Sequence, residues 1–249
     1  MNNADKTNWL NPPNNRWSFR NMSSLFRTVK LSKSDKPFII PKNLTDLDSF
    51  EFDGLEGKTN LREMLDSSYT DAFIILKNNN IIFEEYQNEM KDGDLHLMNS
   101  VSKSFVGMLI GILENEAKLN TKDKVIKYIP ELQNSAFQET TIQHALDMTA
   151  AVKFTEDYDD SSSEFWHEAA VVGWRPDLKT EVSPANLLEF MASLGETSQE
   201  EFEMFDYRTV LTNILALTAE RSCQVKFQDL LQTFIWDKFQ KFTHGKISR

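Results

Sequence analysis

Residues 71–86, DAFIILKNNNIIFEEY, are the most restrictive stretch of the sequence, because they carry its clearest β pattern. Two apolar runs flank Asn78-Asn79-Asn80, and asparagine tolerates the positive φ that a tight hairpin turn requires. One antiparallel hairpin is expected there. A two-stranded hairpin is marginal in water and must find a helix or further strands to pack on. Beyond His96 the chain turns to a run of helices with almost no strand signal. Residues 102–117, SKSFVGMLIGILENEA, are apolar almost all round their first three turns, which predicts a buried helix. Asn120-Thr121-Lys122-Asp123 opens a short helical segment ending at Ile129-Pro130. Further helical patterns cover 141–148, 184–194, 210–221 and 229–239. Residues 158–164, YDDSSSE, are polar and read as an exposed loop. No internal repeat is present.

The first 45 residues are rich in Asn, Ser, Lys and Pro, with Trp9, Trp17, Phe19, Leu25 and Phe26 as anchors. They read as an irregular N-terminal arm wrapping a domain formed by 46–249, with one short helix near 23–29. The 249 residues are 40% hydrophobic and include 18 Phe, which argues against a disordered chain. A net charge of -11 disfavours nucleic acid as a partner, since phosphate binding needs concentrated Lys and Arg. A single cysteine, Cys223, leaves no internal disulfide and no Cys-based zinc cluster. The longest apolar stretch, 105–113, is far short of a membrane span, and the N-terminus lacks the basic and apolar regions of a secretory signal. A soluble cytoplasmic protein without membrane partners is the expectation.

Ser100-Val101-Ser102-Lys103 is the only S-x-x-K in the chain. It opens the buried helix, so Ser100 and Lys103 share one face. Ser100 then sits at a helix N-terminus, where free N–H groups and the dipole stabilise an oxyanion, and a partly buried Lys103 is placed to take the serine proton. On these four residues alone a second reading stays open, in which Ser100 caps the helix and Lys103 faces solvent.

The surrounding sequence resembles a known family. HLMNSVSKSFVGMLIGILENEAKLNTKDKVIKYIPEL is similar to the first catalytic motif of the serine β-lactamase-like hydrolases, S-x-x-K-[ST]-F followed by V-x-x-Y-[IV]-P-E-L. HALDMTAAVKF resembles the family's L-L-D-M-T-S-G-V-x-F. FDYRTVLTNILALTAER resembles its second motif, a Tyr at the start of a helix. NPPNNRWSFRNM and EDYDDSSSEF resemble, more narrowly, the branch of 6-aminohexanoate-dimer hydrolases and related carboxylesterases. The likeness covers about residues 11–236 in the family's order and approximate spacing.

The resemblance implies an α/β (α+β) fold, the β-lactamase/transpeptidase-like sandwich beside an all-α subdomain. It implies a serine hydrolase of linear amides or esters, free of metal and cofactor, acting on a small-molecule substrate. Ser100 would form the acyl-enzyme, with Lys103 as its base or as the group that holds the base in its active protonation state. Tyr207 would carry the proton to the leaving group and later activate water. Tyr158 would touch the substrate amide from a loop, and reads equally well as an exposed loop tyrosine. Asp157, Asp159 and Asp160 read either as a site for a substrate ammonium or as a solvated charge run. His144 reads as a core residue, His96 as a support for the motif, and Trp166-His167-Glu168 as helix.

Three departures stand out. Ala150-Ala151 replaces the family's Ser-Gly, so Ala151 is expected to be strained if that position takes a positive φ. Ala216 replaces a common Gly, a mild change. The family continues into more strands, one bearing a third motif, K/H-[ST]-G, that supplies a wall of the site and the second oxyanion N–H. Here the sequence reads FTHGKISR, and Thr243-His244-Gly245 has the letters in another order. The C-terminal part of the sheet is therefore expected to be missing, and the hairpin to have an exposed edge. A truncated, catalytically impaired remnant and a carboxylesterase without amidase activity are the rival functions.

Overall fold

The computed structural model describes residues 4–32, 39–55, 57–197 and 204–238, and the backbone of 246–248. The N-terminal part holds helices α1 (Asn14–Ser18) and α2 (Met22–Leu25), strands β1 (Thr28–Lys30), β2 (Glu51–Gly54) and β3 (Gly57–Asn60), helix α3 (Leu61–Ser67), and strands β4 (Ala72–Lys77) and β5 (Asn80–Tyr86). Helices α4 (Ser102–Asn115), α5 (Ile142–Leu146), α6 (Glu164–Val171), α7 (Leu187–Ser193), α8 (Thr209–Cys223) and α9 (Phe227–Leu231) come next, and strand β6 (Lys246–Ser248) closes the order.

The asparagine turn forms as its residues dictate. Asn78 and Asn79 have φ of 50° and 59°, the backbone a two-residue hairpin turn needs. β4 and β5 pair antiparallel, with a bulge opposite Ile75 and Leu76. The hairpin is not bare on the β5 side. Asn43 N–H donates to Ile81 C=O and Thr45 N–H to Ile82 C=O, both at 2.8 Å, so a stretch of the N-terminal region lines that strand. On β4, Ile74 and Leu76 remain exposed.

Two pairings are not visible in the sequence pattern. β2 and β3 form a tight hairpin, and β1 pairs antiparallel with β6. The short helix of the arm ends at Leu25, because Phe26 turns to extended backbone and feeds β1. Asn60 caps α3 through a reciprocal box with Glu63.

The arm is well anchored. Trp9 is buried, its indole N–H donates to Trp174 C=O at 3.2 Å, and its ring meets Phe19, Phe26 and Trp174 edge to face. Leu97 N–H donates to Phe19 C=O at 2.8 Å, which ties the arm to the segment just ahead of Ser100.

α4 differs from the expected all-round burial. Val106, Leu109, Ile110 and Leu113 form a single buried stripe, while Met108 and Ser104 are exposed. The stripe packs on α8, whose Val210, Leu211, Ile214 and Leu215 are buried. At roughly 1.5–3 kcal/mol for each large apolar side chain removed from water, this contact fixes α4 against α8. The expected helix up to Ile129-Pro130 becomes two 3-10 turns, Val125–Lys127 and Pro130–Leu132. Pro130 forces Ile129 out of the helical region, to φ -126° and ψ 73°. α9 continues as a π-helical turn over Gln232–Trp236, and Phe239 lies outside the described residues. Among the described residues no helix is long and apolar enough to cross a membrane.

Candidate active site

Packing α4 along α8 brings the start of each helix to one place. Ser100 lies in a 3-10 turn, Asn99–Val101, that runs directly into α4. Asn99 takes φ 43°, its carbonyl accepts from Ser102 Oγ at 2.6 Å, and Val101 N–H donates to Met98 C=O at 3.0 Å. This turn leaves Ser100 exposed. Its hydroxyl caps neither the turn nor α4, which removes the capping reading. Lys103, one turn later and half-buried, instead donates from Nζ to Ser100 Oγ at 3.2 Å. The same ammonium sits 5.1 Å from the centre of the Tyr207 ring, within cation–π reach. Ser100, Lys103 and Tyr207 are thus brought together.

Tyr207 is held from both sides. Asp206 N–H donates to Met148 C=O at 2.9 Å, and Arg208 Nη1 donates to Ala150 C=O at 2.8 Å. Arg208 is buried and also pairs with Asp206 at 2.7 Å. The 148–150 segment therefore clamps the residues flanking Tyr207. In that segment the positive φ falls on Met148, at 54°, and not on Ala151, so the expected strain at Ala151 is absent. The reason is local: α5 ends with Thr149 N–H on His144 C=O, and the left-handed residue of that ending is Met148.

Tyr158 lies on the exposed loop, as expected, but its hydroxyl is engaged. It donates to Glu156 Oε1 at 2.7 Å. Partial burial and this bond hold the phenol's proton on, well above the usual tyrosine range. Glu156 in turn accepts from Thr209 N–H and Thr209 Oγ1, both at 2.7 Å, which fastens the loop to the first turn of α8. The Tyr158 loop is thereby fixed at Thr209, two positions after Tyr207. Asp157 and Asp160 accept from the loop's own N–H groups, at Asp159 and Ser162, and shape the loop as solvated acids.

One turn further along α8, Asn213 donates to Glu168 Oε1 at 2.8 Å. Glu168 belongs to α6 and is only 3% exposed. Burial pushes its carboxyl up to about 7, and nearby Glu156 adds to this, while the Asn213 bond and the Lys103 charge oppose it.

His144 and His96 serve structure. His144 completes a capping box with Thr141 at the start of α5, and burial holds its imidazole below the usual range. His96 bonds Asp71 at 3.2 Å and meets Phe19 edge to face. Thr243-His244-Gly245 lies outside the described residues. Among the described residues no cluster of three or more His, Cys, Asp or Glu is arranged to hold a metal ion.

Sequence reasoning does not find Glu156, Glu168, Arg208 and Asn213. Glu156 and Arg208 stand beside the two candidate tyrosines, a usable signal. Glu168 and Asn213 are 45 positions apart and meet only when α6 packs on α8.

Comparison with known proteins gives the chain's family and fold. A 6-aminohexanoate-dimer hydrolase from Paenarthrobacter ureafaciens is 30% identical over 231 residues, covering 92% of this chain and 56% of the relative. A protein of uncharacterised function from Alkalihalophilus pseudofirmus is 29% identical over 138 residues, or 50% of this chain and 40% of that one. The chain thus spans about half the length of these curated relatives. A Bacillus anthracis structure, provisionally named a 6-aminohexanoate-dimer hydrolase, superposes with a TM-score of 0.90 at 24% identity, covering 100% of this chain and 65% of that one. The fold is therefore β-lactamase/transpeptidase-like, with mixed α and β content. The β-lactamase family model matches residues 59–245, and the chain belongs to that family.

Proposed function

We propose that the protein is a serine hydrolase of linear amides or esters, working through an acyl-enzyme on Ser100. The observation that carries this is the 3.2 Å contact from Lys103 Nζ to the exposed Ser100 hydroxyl at the start of a 14-residue helix. In the neutral form, Lys103 accepts the Ser100 proton as Oγ attacks the substrate carbonyl carbon. The C=O electron pair moves to oxygen, and the helix N-terminus, with its free N–H groups and positive dipole end, favours that charge. When the tetrahedral species collapses, the scissile bond breaks, and the departing nitrogen or oxygen receives the proton from Lys103 by way of Tyr207. A water then repeats the sequence in reverse: it gives its proton to the Tyr207–Lys103 pair, attacks the acyl carbon, and Ser100 leaves and is reprotonated.

Tyr158 fits an amide substrate. Its hydroxyl donates to Glu156, which leaves its oxygen lone pairs to accept a substrate N–H. The 30% identity with a 6-aminohexanoate-dimer hydrolase points to the same substrate class. The test is labelling with a fluorophosphonate probe. Modification of Ser100, lost in Ser100→Ala, is expected; equal modification of another serine refutes the assignment. Turnover of a short-chain ester with no turnover of a linear amide would make it a carboxylesterase, and no labelling of any serine would mark a non-catalytic chain.

A further inference from the structure

We propose that the cavity between the N-terminal arm and the start of β4 is a binding site for a small organic carboxylate, with Arg16 as its charge partner. The proposal goes beyond the serine-hydrolase reading and does not rest on it.

The cavity has a volume of about 460 Å³, within the ordinary range of small-molecule sites. It is lined by Arg16 and Phe19 from the arm, by Tyr69 and Asp71 from the link between α3 and β4, and by Met90 and His96 from the segment after β5. Ser100, Lys103 and Tyr207 do not line it, so it is separate from the candidate active site.

Its charge is set by Arg16. The guanidinium carbon lies 4.8 Å from the centre of the Tyr69 ring. A guanidinium over a ring engages it through its face and keeps its planar fork of N–H donors for a second partner. Among the described residues Arg16 forms no ion pair and no side-chain hydrogen bond, and its buried Nε is unmet. Buried donors are nearly always bonded, so this one stands out. Asp71, the single acid of the lining, is engaged elsewhere: it accepts from Asn88 Nδ2 at 3.0 Å and bonds His96 at 3.2 Å. Arg20, whose Nε donates to Arg16 C=O at 3.0 Å, adds a second positive charge beside the first. A carboxylate matches the free fork in bidentate geometry. Phe19 and Met90 supply apolar surface, which suits an organic body better than a bare inorganic anion.

Tyr69 is held in place against its own backbone preference. α3 ends with Thr70 N–H on Leu65 C=O at 3.2 Å, and Tyr69 takes φ 56°, the left-handed position that Gly or Asn ordinarily fills at a helix end. A bulky aromatic there is strained. Its side chain is exposed, so core packing does not account for it, whereas its contact with Arg16 does.

The test is a titration of the full chain, with isotope-labelled methionine methyl groups, against sodium hexanoate. A saturable shift of the Met90 methyl signal is expected, and it should persist in Ser100→Ala. Arg16→Gln should weaken hexanoate roughly 10-fold or more, the scale of a charge-assisted hydrogen-bonded pair, and Arg16→Lys should weaken it less. Tyr69→Gly relieves the strained backbone and so keeps the fold, as urea unfolding will show, yet it should also weaken hexanoate because Arg16 loses its support. If Arg16→Gln does not fold, Tyr69→Gly decides the matter. Hexylamine, of the same length and opposite charge, and inorganic phosphate should leave Met90 unmoved where hexanoate saturates. The proposal is overturned by the absence of a saturable Met90 shift, by an equal shift with hexylamine or phosphate, or by unchanged affinity in a folded Arg16→Gln or Tyr69→Gly. Loss of the shift in Ser100→Ala would place the carboxylate in the hydrolase site and overturn it as well. An unreactive Ser100 would refute the hydrolase reading and leave this test unchanged.

Discussion

The burial of Glu168 makes a quantitative claim about stability. In the native protein its carboxyl is pushed from 4.5 to about 7, chiefly by removal from water. Between those two values the folded protein keeps a proton that the unfolded chain has already released. The native state binds the extra proton, so the contribution of Glu168 to stability is fullest below pH 4.5, falls as pH rises, and levels off above about 7. At about 1.4 kcal/mol per pH unit, the loss over this window is roughly 3 kcal/mol. Glu168→Gln keeps the shape and the acceptor for Asn213 but removes the ionisation. Urea unfolding followed by tryptophan fluorescence, at intervals from pH 4.5 to 8, compares the two proteins. Other carboxylates, such as Glu114, Asp123 and Glu131, are held below their ordinary range and lose their contribution in acid, but they do so in both proteins and cancel. The difference between variant and parent should therefore grow by roughly 3 kcal/mol in the variant's favour from pH 4.5 to above 7. A difference that stays constant with pH would refute the claim that the buried carboxyl ionises in that window.

Three further substitutions probe the site and the arm. Lys103→Ala should slow Ser100 acylation by roughly 100-fold or more, the scale of a positioned general base, and an unchanged rate would remove Lys103 from the mechanism. Tyr207→Phe should impair amide hydrolysis more than hydrolysis of an activated ester, whose leaving group needs less protonation; equal loss on both would make Tyr207 structural. Trp9→Ala should cost roughly 3–5 kcal/mol in urea unfolding, since the ring is buried in an aromatic cluster, and a loss below about 1 kcal/mol would show the arm to be loosely attached.

What the sequence discloses depends on how far apart the interacting residues lie. The hairpin is legible because its turn is two adjacent asparagines whose side chains permit positive φ. The helical core is legible from periodicity, although α4 is buried on one face only. The pairing of β1 with β6 joins residues more than two hundred positions apart through backbone bonds, and three-residue strands leave no periodicity to find. The arm is only half legible. Its tryptophans mark it as anchored, but nothing local says that Trp9 is received by Trp174.

The same distinction runs through the site. Ser100 and Lys103 are three residues apart, so a helix is enough to join them, and the tetrapeptide already contains their geometry. Tyr207 adds a second helix, yet its position at the start of α8 is still a local property. Its distance from Lys103 is set by the apolar stripe of α4 against α8, which periodicity also reveals in outline. The acids are of another kind. Glu156 reaches α8 across 53 positions and Glu168 across 45, and each is recognised only by a polar residue on a packed helix face. A sequence motif therefore displays the groups that a helix or a helix start brings together, because their spacing is short. The acids come from elsewhere in the chain and are found only once the helices are packed. For Glu168, whose carboxyl is pushed up chiefly by burial, the pH dependence of stability is where this packing becomes measurable.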